Sequence, residues 1–164
     1  MSLKTARLRA ITLLDQCEKH AERLEVAQKD LQILGAFDAA RLTTPTKEDA
    51  DRVELVLFGY VRLQDAIGGR LFPALLEAGG ELSVESGFVD RLNQLERLGI
   101  IQSTESWMEL RAIRNQITQD YPEPEVRHQI LNQALETISE LQQTVVAAMH
   151  YAAEKLQLRS LKTP

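Results

Sequence analysis

Cysteine is nearly missing from this chain: Cys17 is the only one in 164 residues. A single thiol makes no internal disulfide, and no Cys/His spacing of the zinc-binding kind occurs. Cys17 falls on the apolar stripe of its segment, which points to a small buried side chain rather than a reactive nucleophile. Proline and glycine are sparse, 5 and 8 residues, and gathered at a few places, so long helices can run between them. No apolar run approaches the ~20 residues that cross a bilayer. Met1-Ser2-Leu3-Lys4 leads into a charged amphipathic segment without the apolar core of a signal peptide, so a cytoplasmic location and no membrane partner are expected. A surplus of positive charge is also lacking. The net charge of −5 argues against a protein that coats nucleic acid through counterion release, although it leaves room for a local basic site. Histidine occurs three times, at scattered positions (His20, His128, His150). Such a set makes no metal site, and neither a metal nor another cofactor is expected.

What is present is helical periodicity in a chain long enough for one domain, residues 1–164, with a sizeable core. A first segment from about Lys4 to Leu34 steps by threes and fours through Leu8, Ile11, Leu14, Cys17, Ala21, Leu24, Ala27, Leu31 and Leu34 before stopping at Gly35. Its long, narrow stripe suits a bundle or a dimer seam. After a break to Pro45, Thr44 or Thr46 caps a second helix whose apolar positions include Val53, Val56, Phe58, Tyr60, Val61, Leu63 and Ile67. Gly68-Gly69 and Pro73 predict a kink or a brief break there, and Gly79-Gly80 an end. A shorter helix spans about Gly87 to Leu98, with Phe88, Val89, Leu92, Leu95 and Leu98 apolar. A fourth starts near Ser103 or Thr104 and reaches about Asp120. Pro124 opens the last helix, where Val126, Ile130, Ala134, Ile138, Leu141, Val145, Ala148, Ala152 and Leu156 form the cleanest stripe in the chain. No strand pattern or repeat is visible, and the expected fold is an all-α, up-down bundle of four to five helices.

Chemistry concentrates between Trp107 and Tyr121. On a helix Trp107, Leu110, Arg114, Ile117 and Tyr121 share one face, within about 20–40°. An arginine inside an apolar stripe must reach a partner or a cleft, because burying an unpaired charge is costly. Arg111 stands three residues earlier, so the two guanidinium groups can converge on one anion. Asn115 and Gln119 line the adjacent edge, and Tyr121 precedes the Pro122 break. The plainer alternative pairs the arginines with acidic neighbours such as Glu109 or Asp120. His128 either folds back toward this cleft or lies on the surface of the last helix, and His20 and His150 are expected at the surface.

The stretch from Leu110 to Pro122 resembles the signature of the HepT-like toxins of the HEPN superfamily: an Arg-Asn pair, a few residues, then His-x-Tyr. Arg114-Asn115 matches the pair and Asp120-Tyr121 the last two positions. The tracts Arg62 to Pro73 and Arg91 to Gly99 are similar to family members too, so the likeness runs from about Asp51 to Tyr121. The resemblance implies a HEPN-like bundle, a homodimer whose motif helices face one another, and a minimal nucleotidyltransferase as antitoxin partner. It also implies RNA cleavage without a metal, with arginine supporting the charged phosphate and histidine moving the proton. Tyr121 would be the acceptor when the partner attaches AMP.

The chain departs from that pattern at one position: Gln119 stands where the family has its histidine. An amide donates and accepts hydrogen bonds but is no useful proton shuttle. Three functions therefore remain open. The chain can be a metal-independent ribonuclease toxin, active or weakened, with Arg114 on the phosphate, Asn115 orienting it and Gln119 positioning the 2′-hydroxyl. It can be a non-catalytic module that binds RNA, nucleotide or a nucleotidyltransferase through Arg111 and Arg114. It can also be a helical dimer without a ligand, its arginines spent on salt bridges.

Overall fold

The computed structural model describes residues 2–81, 87–119 and 121–158, and among these no strand occurs. The elements are α1 (Leu3–Ile33), α2 (Ala39–Thr43), α3 (Lys47–Ala66), a π-turn (Ile67–Leu71), α4 (Phe72–Ala78), α5 (Phe88–Arg97), α6 (Thr104–Ile117) and α7 (Pro124–Glu154). The described residues thus form helices without strands, as the periodicity predicts. Short polar side chains start four of the helices by accepting from orphan backbone N–H groups. Ser2 caps Thr5, Asp38 caps Arg41, Thr46 caps Asp49, and Ser103 caps Ser106. Gly35, at φ 85°, supplies the left-handed residue that ends α1.

Side-chain contacts fix the directions of the rods. Asp30 pairs with Arg52 at 3.2 Å, and Leu24 lies against Gly59, so α1 and α3 run antiparallel. Asp65 meets Arg114 while Gly68 meets Trp107, so α6 runs against α3. The Tyr60 hydroxyl shares a 2.8 Å hydrogen bond with Thr137, and Tyr151 stands over Gly79, which makes α7 parallel to α3. The main rods therefore alternate, up and down, around a core that includes Leu24, Tyr60, Leu63, Leu75, Trp107, Leu110, Ile138 and Leu141.

Three departures from the periodic expectation have physical reasons. Of the kink or brief break that the Gly68–Pro73 tract predicts, the break does not occur: α3, the π-turn and α4 continue one into the next. Phe72 N–H reaches back five residues to the Ile67 carbonyl, widening the turn just where the Pro73 ring would otherwise press on the carbonyl four residues before it. Phe58 is 63 % exposed, and Leu8, Phe88 and Val89 are also exposed, so these apolar residues do not belong to the core. Two residues beyond buried Val56, Phe58 is carried about 200° around the helix. The stretch between Gly35 and Pro45 holds the extra helix α2. Arg41 fastens this corner, donating to both Asp49 carboxylate oxygens (3.0 and 2.7 Å) and to the Leu34 and Ala36 carbonyls, with its guanidinium over the Phe37 ring at 3.9 Å. Those hydrogen bonds hold the Asp49 carboxyl below the usual carboxylate range.

Cys17 is buried in the α1 core face, and burial pushes its thiol up to about 12. At about pH 8.5, near the ordinary thiol pKa, iodoacetamide is expected to leave Cys17 unmodified in the folded chain and to alkylate it once guanidinium unfolds the protein. Mass spectrometry reads both states, and rapid modification of the folded chain would contradict the packing around α1.

Candidate functional site

α6 places Trp107 and Leu110 inward, with Arg111 and Arg114 on the flank that faces α3 and the start of α5. Trp107, Arg111 and Arg114 line a hollow of about 380 Å³ with Gln64, Asp65, Gly68, Gly69 and Phe88. Two glycines shape its floor. A Cβ on Gly68 would stand 3.0 Å from Trp107 Cζ2, so only glycine lets the indole lie against the π-turn, while Gly69 faces open space. The two arginines that the sequence singles out do share one concave site.

Among the described residues neither arginine pairs with Glu109, and Arg114 finds its counter-ion on another helix. Arg114 donates from Nε to Asp65 Oδ1 at 2.7 Å and from Nη2 to Asp65 Oδ2 at 2.8 Å, a two-pronged ion pair with α3. Its Nη1 stands 3.4 Å from Asn115 Oδ1, so Asn115 does sit beside the guanidinium. The Asp65 hydrogen bonds raise Arg114 above the ordinary guanidinium value, and it stays fully charged. Arg111 is exposed and makes no ion pair among the described residues; its guanidinium stacks on the Phe88 ring at 4.6 Å. Asp120, the alternative acidic partner, lies outside the described residues.

Gln119 and Tyr121 stand elsewhere. The helix ends at Ile117 rather than near Asp120, with Thr118 as its cap, so Tyr121 is past the helix and off the face that carries Trp107 and Leu110. The Tyr121 hydroxyl donates to Gln119 Oε1 at 2.6 Å. Both line a second hollow of about 480 Å³, with Phe58, Ile117, Arg127 and Ile130 among its walls. Measured along α3, Phe58 and Asp65 are about 10 Å apart at 1.5 Å per residue. The candidate motif is therefore divided, with arginines in one hollow and the glutamine and tyrosine in the next. His128 approaches Asn132 at 3.2 Å on α7 and lines neither hollow; His150 stands 3.2 Å from Glu154 on the outer face.

Asp65, Phe88 and Gly69 are the functional candidates that motif reading passed over. The first and last lie in a tract the family resemblance covers, but their roles emerge only when α3 packs on α6. Chemically, the arginine hollow offers two guanidinium groups, one carboxylate already engaged, an aromatic ring and an exposed backbone turn. The Asp65 carboxylate has both oxygens engaged by the Arg114 guanidinium, which leaves Arg111 as the guanidinium open to a ligand. The hollow suits binding an anion better than moving a proton.

No group of three or more His, Cys, Asp or Glu residues that could hold a metal occurs among the described residues, and no described helix is long and apolar enough to cross a membrane. No protein-family model, curated protein or solved structure matches the chain.

Proposed function

We propose that this chain is a HepT-like, HEPN-related component of a toxin–antitoxin pair. In this reading it binds a phosphate of RNA or of a nucleotide at Arg111 and Arg114 and has little or no catalysis of its own. The observation that carries it is the shared hollow: two guanidinium groups, one of them without a carboxylate partner among the described residues, line it beside a glycine turn that leaves backbone exposed. Weak catalysis follows from the residue at 119, an amide whose oxygen is taken up by the Tyr121 hydroxyl. A homodimer and a minimal nucleotidyltransferase are the partners proposed. Exposed Phe58, Phe88 and Met108, on and around the α3–α6 seam, are apolar side chains that another subunit would cover. Tyr121, half-buried at the edge of its hollow, is the proposed AMP acceptor.

Fluorescence anisotropy with a short single-stranded RNA, and with AMP, tests the binding. Arg111→Ala is expected to weaken either ligand about tenfold, the loss of one charge-assisted contact. It should also reduce the salt dependence of RNA binding by about one ion. Equal affinity for wild type and variant would overturn the proposal. A second reading, a helical protein whose arginines are structural, has the Asp65–Arg114 fork in its favour. It requires that Arg111→Ala leave both ligands untouched.

A further inference from the structure

α1 and α3 approach closely because Gly59 has no side chain; a Cβ there would stand 3.2 Å from Leu24 Cδ1. In an antiparallel pair with that register, the residues just before Leu24 face those just after Gly59. His20 and Arg23 therefore sit across the seam from Arg62, and Arg70 in the π-turn continues the same seam toward Cys17, whose thiol it acts on. Arg23, Arg62 and Arg70 are exposed. None of them pairs with a carboxylate among the described residues, whereas Arg41, Arg52 and Arg114 each do. His20 is half-buried, and its Nδ1 is enclosed without a hydrogen-bond partner among the described residues. An enclosed polar atom left unpaired beside three arginines that make no ion pair among the described residues is an unfavourable arrangement for the free protein.

We propose that His20, Arg23, Arg62 and Arg70 form a second anion site on the α1–α3 seam, which takes a phosphoryl group. Three forks arriving from two helices match a tetrahedral group with several acceptor oxygens better than a flat carboxylate, which one fork already satisfies. The site is separate from the Arg111–Arg114 hollow and does not depend on the function proposed for it.

His20 reports on occupancy. Burial lowers its pKa first, and the charges of Arg62 and Arg70 across the seam and of Arg23 on its own helix lower it further, so the ring is neutral near pH 7 in the free protein. A phosphoryl anion cancels that repulsion, and the ring then takes up a proton more readily.

Nuclear magnetic resonance of the His20 ring in the full chain, assigned with His20→Gln, tests this. The probes are pyrophosphate and a short single-stranded oligoribonucleotide without terminal phosphates. The expected result is a saturable change in the His20 signals and a rise in its pKa with at least one probe. A response to pyrophosphate identifies a terminal phosphoryl group as the ligand, and a response to the oligonucleotide alone identifies a phosphodiester strand. Arg62→Ala with Arg70→Ala should weaken the response more than tenfold, and the paired lysine variant should retain part of it. Arg111→Ala should leave it unchanged. The proposal is overturned if neither probe moves His20, or if the paired alanine variant, folded by circular dichroism, responds like wild type.

Discussion

Trp107→Ala is expected to lower the unfolding free energy by about 3–5 kcal/mol, the range for truncating a large buried aromatic. The side chain is 2 % exposed, its ring centroid lies 4.7 Å from that of Phe72 in a tilted pair, and its edge rests on Gly68. It joins α6, the π-turn and α4 at one point. Folding stabilities of about 5–15 kcal/mol make such a loss a large fraction of the whole. The neighbouring Met108→Ala, at an exposed position, should change stability by no more than about 0.5 kcal/mol. Urea unfolding of the two variants measures the contrast. A cost below about 1 kcal/mol for the tryptophan would show that the hollow's inner wall is not packed as described.

Gln119→His should have the largest effect on activity. Proton transfer by a positioned side chain contributes about 10²–10⁴-fold, and an imidazole supplies it near neutral pH where an amide does not. The variant is therefore expected to cleave single-stranded RNA about 10²-fold or more faster than wild type and to arrest growth on induced expression. Adding Arg114→Ala should abolish the gain. Because the arginines and Gln119 occupy adjoining hollows, the imidazole meets the phosphate only on a strand that spans both, or across a dimer. Single nucleotides should accordingly show no gain in turnover. Two outcomes would remove the lost-catalysis reading: wild type already cleaving as fast as the variant, or cleavage that survives Arg114→Ala.

Helix limits could be read from the sequence wherever they depend on a few adjacent residues. Thr46 and Ser103 cap the helices they were expected to cap, Gly35 ends the first, and Pro124 starts the last, whose apolar spacing survives almost whole in the buried face of α7. Apolarity alone misplaced Phe58 and Val89, because a hydrophobic side chain signals burial only when its helical angle also faces the core. The candidate site was half legible. Placing Arg111 and Arg114 side by side needed only helical geometry. Arg114 finds its counter-ion 49 residues away, and no local spacing rule reaches that far. Likewise, the separation of Gln119 from the arginines depends on where α6 stops. His20, expected at the surface, is half-buried with its Nδ1 enclosed, which the pattern of its own helix does not reveal.

The alternation of the rods also bears on the protein's electrostatics. Each helix carries about half a positive charge at its amino end and half a negative charge at its carboxyl end. With α1 and α6 pointing one way and α3 and α7 the other, every end of the bundle gathers both signs, and these macrodipoles cancel in neighbouring pairs. Neither pole of the molecule can draw in a polyanion by its backbone field. Any such attraction in a chain of net charge −5 must come from arginine and lysine side chains, which makes it local and sensitive to salt.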